Sequence, residues 1–199
     1  MKIFIIGMNK TATRSLHQFF KGNGVPSVHW DDGRLARAIR ANIQNGSPPL
    51  QGYDDYIVFS DMELVGGKPG DLIEAYKYFR ELDVAYPGSR FILNIRSPEG
   101  WLASRMNHSN GLYTRYYQRQ YGGVNEADVL WRWRIDYYRH HADVLEYFSD
   151  KREQLIIFNI ETDPIEALIE RFADLWKLDA KWFGHKGKGI PRQMNASGH

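Results

Sequence analysis

Lys10 stands three residues after Gly7, at the end of the apolar run Lys2-Ile3-Phe4-Ile5-Ile6. The residues around it, Asn9, Thr11, Ala12, Thr13, Arg14 and Ser15, are small, hydroxyl-bearing or positively charged. A short buried strand, a compact loop and a helix opening at Thr13 make a cup of backbone N–H groups, and such a cup favours an anion, usually a phosphate. The spacing is not that of a Walker A loop. Counted from Gly7, the second glycine of that motif falls on Ala12, its lysine on Thr13 and its Mg²⁺-binding hydroxyl on Arg14, so only the first glycine is in register. A second cluster begins at Arg96, with Ser104 eight residues later. A guanidinium can fork onto two phosphate oxygens and a hydroxyl can take a third. Four side chains could act as a base: Asp61, Glu63, His29 and His108. His29 has the ordinary pKa best suited to neutral pH, whereas Asp61 and Glu63 could equally cap the segment that follows them.

These groups need a frame. Lys2–Ile6, Val25–Trp30, Tyr56–Phe59, Arg90–Ile95 and Gln154–Phe158 read as strands, being short, β-branched or aromatic and bounded by turn residues. Between them lie helical patterns over 13–20, 35–43 (with Asp31 and Asp32 at its N-cap), 72–82, the segment opened by Ser97-Pro98, 125–148 and 165–176. Strands alternating with helices imply an α/β fold with a doubly wound, mainly parallel sheet, whose ligands lie beyond the strand C-terminal ends. Lys10, His29, Asp61 and Arg96 all fall at such ends. Residues 66–70 are a glycine-rich loop. The stretch 111–123, dense in tyrosine and arginine, reads either as a mobile lid or as a loop packing tyrosines on the surface. His140 and His141 lie on a helix with no neighbouring ligand pattern.

With 199 residues, 43% hydrophobic and 25% charged, the chain has the length and composition of one α/β domain spanning 1–199. A net charge of +2 and a pI near 8.7 suit a polyanionic small ligand and fall short of a nucleic-acid stripe. The chain has no cysteine, which excludes disulfides and thiolate metal sites. The apolar run at residues 2–6 is shorter than a signal segment, and nothing approaches a membrane span, so a soluble, cytoplasmic protein is expected.

The loop lysine followed by a hydroxyl-rich helix start, and the pattern R-x-P-x-x-x-x-x-S from Arg96 to Ser104, resemble the two nucleotide-binding elements of sulfotransferases. Those enzymes use phosphoadenosine phosphosulfate (PAPS). The resemblance implies a P-loop-like fold, with Asn9 to Ser15 around the 5′-phosphosulfate, Arg96 and Ser104 on the 3′-phosphate, and Lys10 as the catalytic cation. It further implies that the glycine-rich basic segment holding Lys186 and Lys188 folds over the nucleotide. The acceptor would be a small molecule or glycan with a hydroxyl or amine, deprotonated by Asp61 or His29. Sulfuryl transfer is an in-line displacement governed by positioning and charge, and the moving group carries less charge than a phosphoryl group, so a divalent metal is not obligatory. Two other readings stay open: a kinase-like protein with a degenerate loop, and a non-catalytic binding protein of the same fold.

Overall fold

A computed structural model describes residues 1–184 of the chain. In chain order its elements are β1 (Ile3–Ile5), α1 (Thr13–Gly22), β2 (Ser27–His29), α2 (Arg34–Gln44), β3 (Val58–Ser60), β4 (Glu63–Val65), β5 (Leu72–Glu74), α3 (Phe79–Ala85), β6 (Arg90–Ile95), α4 (Pro98–Met106), α5 (Leu112–Gln120), α6 (Glu126–Tyr147), β7 (Leu155–Asn159) and α7 (Ile165–Glu170). Five strands form a parallel sheet in the order β2-β3-β1-β6-β7.

Both faces of the sheet are packed against helices, so β1 and residues 91–93 of β6 are apolar at successive rather than alternate positions. Successive side chains still point to opposite faces. Phe4, Ile6, Phe59, Phe91 and Leu93 share a core with residues of α2 to α6, such as Leu35, Phe79, Trp101, Tyr117 and Trp133. Ile3, Ile5, Val58, Ile92, Ile156 and Phe158 pack on the other side against Leu16, Phe19 and Phe20 of α1 and Leu168 of α7. From β1 the chain runs out to the edge strand β2, returns to β3 and later crosses to β6 on the far flank of β1. The strand order therefore reverses around β1, and a crevice opens beyond the C-terminal ends of β3, β1 and β6. Asp61 and Arg96 follow β3 and β6 directly, and Lys10 lies in the loop after β1.

Four local expectations are corrected. Residues 72–82 do not form one helix. Leu72–Glu74 pairs antiparallel with Glu63–Val65, a short 3₁₀ turn covers Ala75–Lys77, and the helix begins at Phe79. The glycine-rich residues 66–70 are the turn of that hairpin, and its register sets Glu63 opposite Glu74. Residues 111–123 are not a loop, because α5 occupies 112–120 with Tyr113 and Tyr117 buried. Asp31 and Asp32 do not cap α2. They sit at φ 52° and 54° in a left-handed turn, and Gly33 at φ 75° takes the N-cap position. Finally, α7 stops at Glu170, and Phe172 closes the second core as the chain turns.

The large helical core is built around a charge. Arg105 is 1% exposed, and its Nη2 donates to Glu63 Oε1 at 2.7 Å, with Glu63 3% exposed. Tyr113 and Tyr117 donate their hydroxyls to the same oxygen, each at 2.7 Å. The rings of Trp133, Tyr117, Trp101 and Tyr113 surround the guanidinium carbon at 4.6, 4.8, 4.9 and 5.2 Å. Moving both charges out of water is expensive, and only such dense pairing offsets it. Removing one partner would strand the other. Arg105→Ala should therefore lower unfolding stability by roughly 3–5 kcal/mol in chemical denaturation. A loss below about 1 kcal/mol, the level of an exposed pair, would contradict this account.

Candidate active site

The loop after β1 is held from behind by one buried amide. Asn94, on the neighbouring strand β6, accepts from the Gly7 N–H at 2.9 Å and donates to the carbonyl and hydroxyl of Thr11 at 2.5 and 2.6 Å. The Thr11 hydroxyl in turn donates to the Met8 carbonyl. A Cβ at Gly7 would lie 2.2 Å from the carbonyl oxygen of Asn94, so only glycine fits there. Trp101 Nε1 donates to the Asn9 carbonyl at 2.9 Å, and the Asn9 side-chain amide donates to the Tyr113 hydroxyl. These clamps hold Lys10 and Ala12 in left-handed conformations, φ 67° and 62°, which are unfavourable for residues with a Cβ. The helix α1 then begins at Thr13 with no side-chain cap and no acidic residue in its first turn. Its leading N–H groups and the positive end of its dipole are left for an external anion.

Lys10 Nζ lies 3.3 Å from Nδ1 of His108. Burial lowers the Lys10 pKa, while the Asp61 carboxylate opposes that shift. Asp61, at φ 52°, follows β3. Desolvation pushes its pKa up to about 6 despite the nearby charges of Lys10, Arg14 and Arg105. His29 Nε2 stands 3.4 Å from Asp61 Oδ2, and the His29 ring stacks on His17 with centroids 5.5 Å apart. Burial, with Arg14 close by, lowers His29 to about 4; His17 falls to about 4 through burial and His29 itself. Both imidazoles are neutral at pH 7.

The structure thus brings Lys10, Asp61, His29, His108 and Arg14 into one electrostatic neighbourhood at the mouth of the sheet. Glu63 is electrostatically close to Asp61 but turns its carboxylate into the core. Three donors occupy its Oε1 in the core, so the candidate base at this position is a structural ligand of Arg105. Thr11 is 1% exposed with its hydroxyl turned inward, so it could offer an anion only its backbone. Thr13 and Ser15 are buried in the first turn of α1, and Arg14 projects outward.

Arg96 reaches the same mouth from β6 with a partner already in place. Its Nη2 and Nε donate to Glu161 Oε1 at 3.0 and 3.2 Å, and its Nη1 lies 3.4 Å from the Lys10 carbonyl. Glu161 Oε2 also accepts from the Ser97 N–H at 2.8 Å, which helps hold the Glu161 carboxyl below its ordinary pKa. Ser97 takes the N-cap position of α4 without a capping side-chain bond. Gly100 leaves room where this helix passes the pair, since a Cβ there would lie 2.7 Å from Ser97 Oγ and 3.0 Å from Arg96 Nη2. Ser104 lies two helical turns along α4, partly exposed. Lys186 and Lys188 lie outside the described residues.

Sequence reasoning missed Asn94, Trp101, Arg105, His17 and Ser60. The available signals were a single amide inside an apolar strand and an arginine four residues after a tryptophan on one helix face.

A protein named Ava biosynthesis cluster protein M, from Aspergillus versicolor, is 30% identical over 115 residues, covering 54% of this chain and 42% of that protein. The chain thus spans less than half the length of this curated relative. A family model described as a sulfotransferase domain matches residues 2–168, which include the loop around Lys10, the Arg96–Ser104 segment and every strand of the sheet. By that match the chain belongs to the sulfotransferase domain family.

Proposed function

We propose that this chain transfers a sulfuryl group from PAPS to a hydroxyl or amine of a small-molecule or glycan acceptor. The observation that carries the reading is the pairing of an uncapped helix N-terminus with Lys10 on one strand end and a base-competent carboxylate, Asp61, on the adjacent one. PAPS supplies an activated sulfuryl group on a phosphate leaving group. The amides from Asn9 to Ser15, with Arg14, hold the 5′-phosphosulfate, and Arg96 and Ser104 take the 3′-phosphate. Lys10 neutralises the phosphate oxygen as it departs, an electrostatic role that is strong in a partly desolvated site. Asp61 removes the acceptor proton, with His29 beside it. At neutral pH Asp61 is mostly ionised, yet its raised pKa makes it a better base than an exposed aspartate.

Three outcomes follow. Lys10→Ala should cost roughly 10²–10³ in turnover under saturating donor while the protein stays folded; survival within threefold would remove Lys10 as the catalytic cation. Because Asp61 must be deprotonated to act, kcat should fall as pH drops through about 6. A limb near 4 would instead match the ionisation of His29. A 3′-phosphate must share or replace Glu161 on Arg96, so Glu161→Gln should tighten binding of phosphoadenosine phosphate and Arg96→Ala should weaken it. Neither change should alter adenosine phosphosulfate binding much, and equal effects on both ligands would show that Arg96 does not read the 3′-phosphate.

A further inference from the structure

Asp61 and His29 are not independent candidates for one role. Ser60, fully buried at the end of β3, has its Oγ 3.2 Å from the Val28 carbonyl and 3.1 Å from His29 Nδ1. A hydroxyl carries one hydrogen, and a carbonyl can only accept. Ser60 can give that hydrogen to Val28 or to His29 Nδ1; when Val28 takes it, Ser60 Oγ is left to accept from His29. The proton of the neutral imidazole then sits on Nδ1, and Nε2 presents a lone pair. That lone pair faces Asp61 Oδ2 at 3.4 Å, longer than the usual 2.7–3.2 Å of an N–H···O bond.

The geometry points to a proton-holding dyad, in which Ser60 fixes the tautomer of His29 so that Nε2 and Asp61 together receive the proton the acceptor gives up. Ser60 is a positioning residue in this arrangement, and its hydroxyl is remote from the reacting atoms. The inference takes its chemistry from the transfer reading above, but its geometry stands without it. In the step itself the acceptor O–H or N–H bond breaks and its hydrogen goes to Asp61 Oδ2. The acceptor atom bonds to sulfur, and the sulfur–oxygen bond to the 5′-phosphate breaks with its electron pair left on the phosphate. The new Asp61 O–H donates to His29 Nε2, and the proton passes to solvent before the next cycle.

The charges around the pair support this direction. Lys10 and Arg14 from the β1–α1 segment, Arg105 from α4 and Glu63 from β4 surround Asp61, while Arg14 and His17 face His29. Burial, with Arg14 close by, keeps His29 neutral, so its lone pair is available at working pH.

Nitrogen-15 NMR of the unliganded protein at pH 7.5, with His29 assigned through His29→Gln, tests the tautomer directly. Wild type should show the proton on Nδ1. In Ser60→Ala it should move to Nε2 and donate to Asp61. The Asp61 carboxyl, followed by carbon-13 NMR, should then titrate roughly one unit lower. The acid limb of kcat should move down with it, and Ser60→Thr, which keeps the hydroxyl, should restore both. A wild-type proton on Nε2, or a Ser60→Ala variant that leaves tautomer and titration unchanged, overturns the dyad. If phosphoadenosine phosphate fails to bind while the tautomer is as stated, the transfer reading falls and the dyad stands.

Discussion

A single buried oxygen, Glu63 Oε1, ties the anion loop to the rest of the molecule. It accepts from Arg105, Tyr113 and Tyr117, three donors carried by α4 and α5. Tyr113 is in turn the partner of the Asn9 amide, and Trp101, which stacks against the Arg105 guanidinium, donates to the Asn9 carbonyl. Glu63 is two residues from Asp61, and Asn9 adjoins Lys10. The two sides of the candidate site are thus fastened to one ion pair. A buried pair of this kind adds little net stability over an apolar core of the same shape, and its value lies in fixing one arrangement. Here the arrangement it fixes is the placement of Lys10 relative to Asp61 at neighbouring strand ends.

Strain is concentrated at the same edge. Lys10, Ala12, Trp30, Asp31, Asp32 and Asp61 all have positive φ without being glycine, and all lie just beyond the C-terminal ends of β1, β2 or β3. Such conformations persist only where the surroundings over-determine them, and they cluster at functional sites. The Asn94 clamp and the Glu63 junction are those surroundings for the loop and for Asp61. For Asp31, the hydroxyl of Tyr53 and the guanidinium of Arg34 do the same work, at 2.6 Å each.

The sheet was legible because its central strands carry short apolar runs, as parallel strands covered on both faces do. The strand ends located Lys10, His29, Asp61 and Arg96 at one edge for the same reason. The hairpin of β4 and β5 was not legible: Glu74 falls in a helical pattern, Glu63 reads as a base or a cap and residues 66–70 as a loop, until Arg105 supplies a buried partner from far along the chain. The tyrosines of α5 misled in the same way, since Tyr113 and Tyr117 look like surface residues until their hydroxyls reach a buried carboxylate. Local pattern reports period and propensity, whereas these features depend on long-range pairing of polar groups inside the core. The pairing of Arg96 with Glu161 was hidden likewise, 65 residues apart in the chain.

The central claim is that the loop from Asn9 to Ser15 and the Arg96 segment together hold a nucleotide bearing both a 5′- and a 3′-phosphate. Isothermal titration calorimetry of the full chain with phosphoadenosine phosphate and with ATP, each with and without Mg²⁺, tests it most directly. The account predicts saturable binding of phosphoadenosine phosphate that Mg²⁺ does not change, and much weaker binding of ATP. Binding of ATP that requires Mg²⁺, with none of phosphoadenosine phosphate, would contradict it.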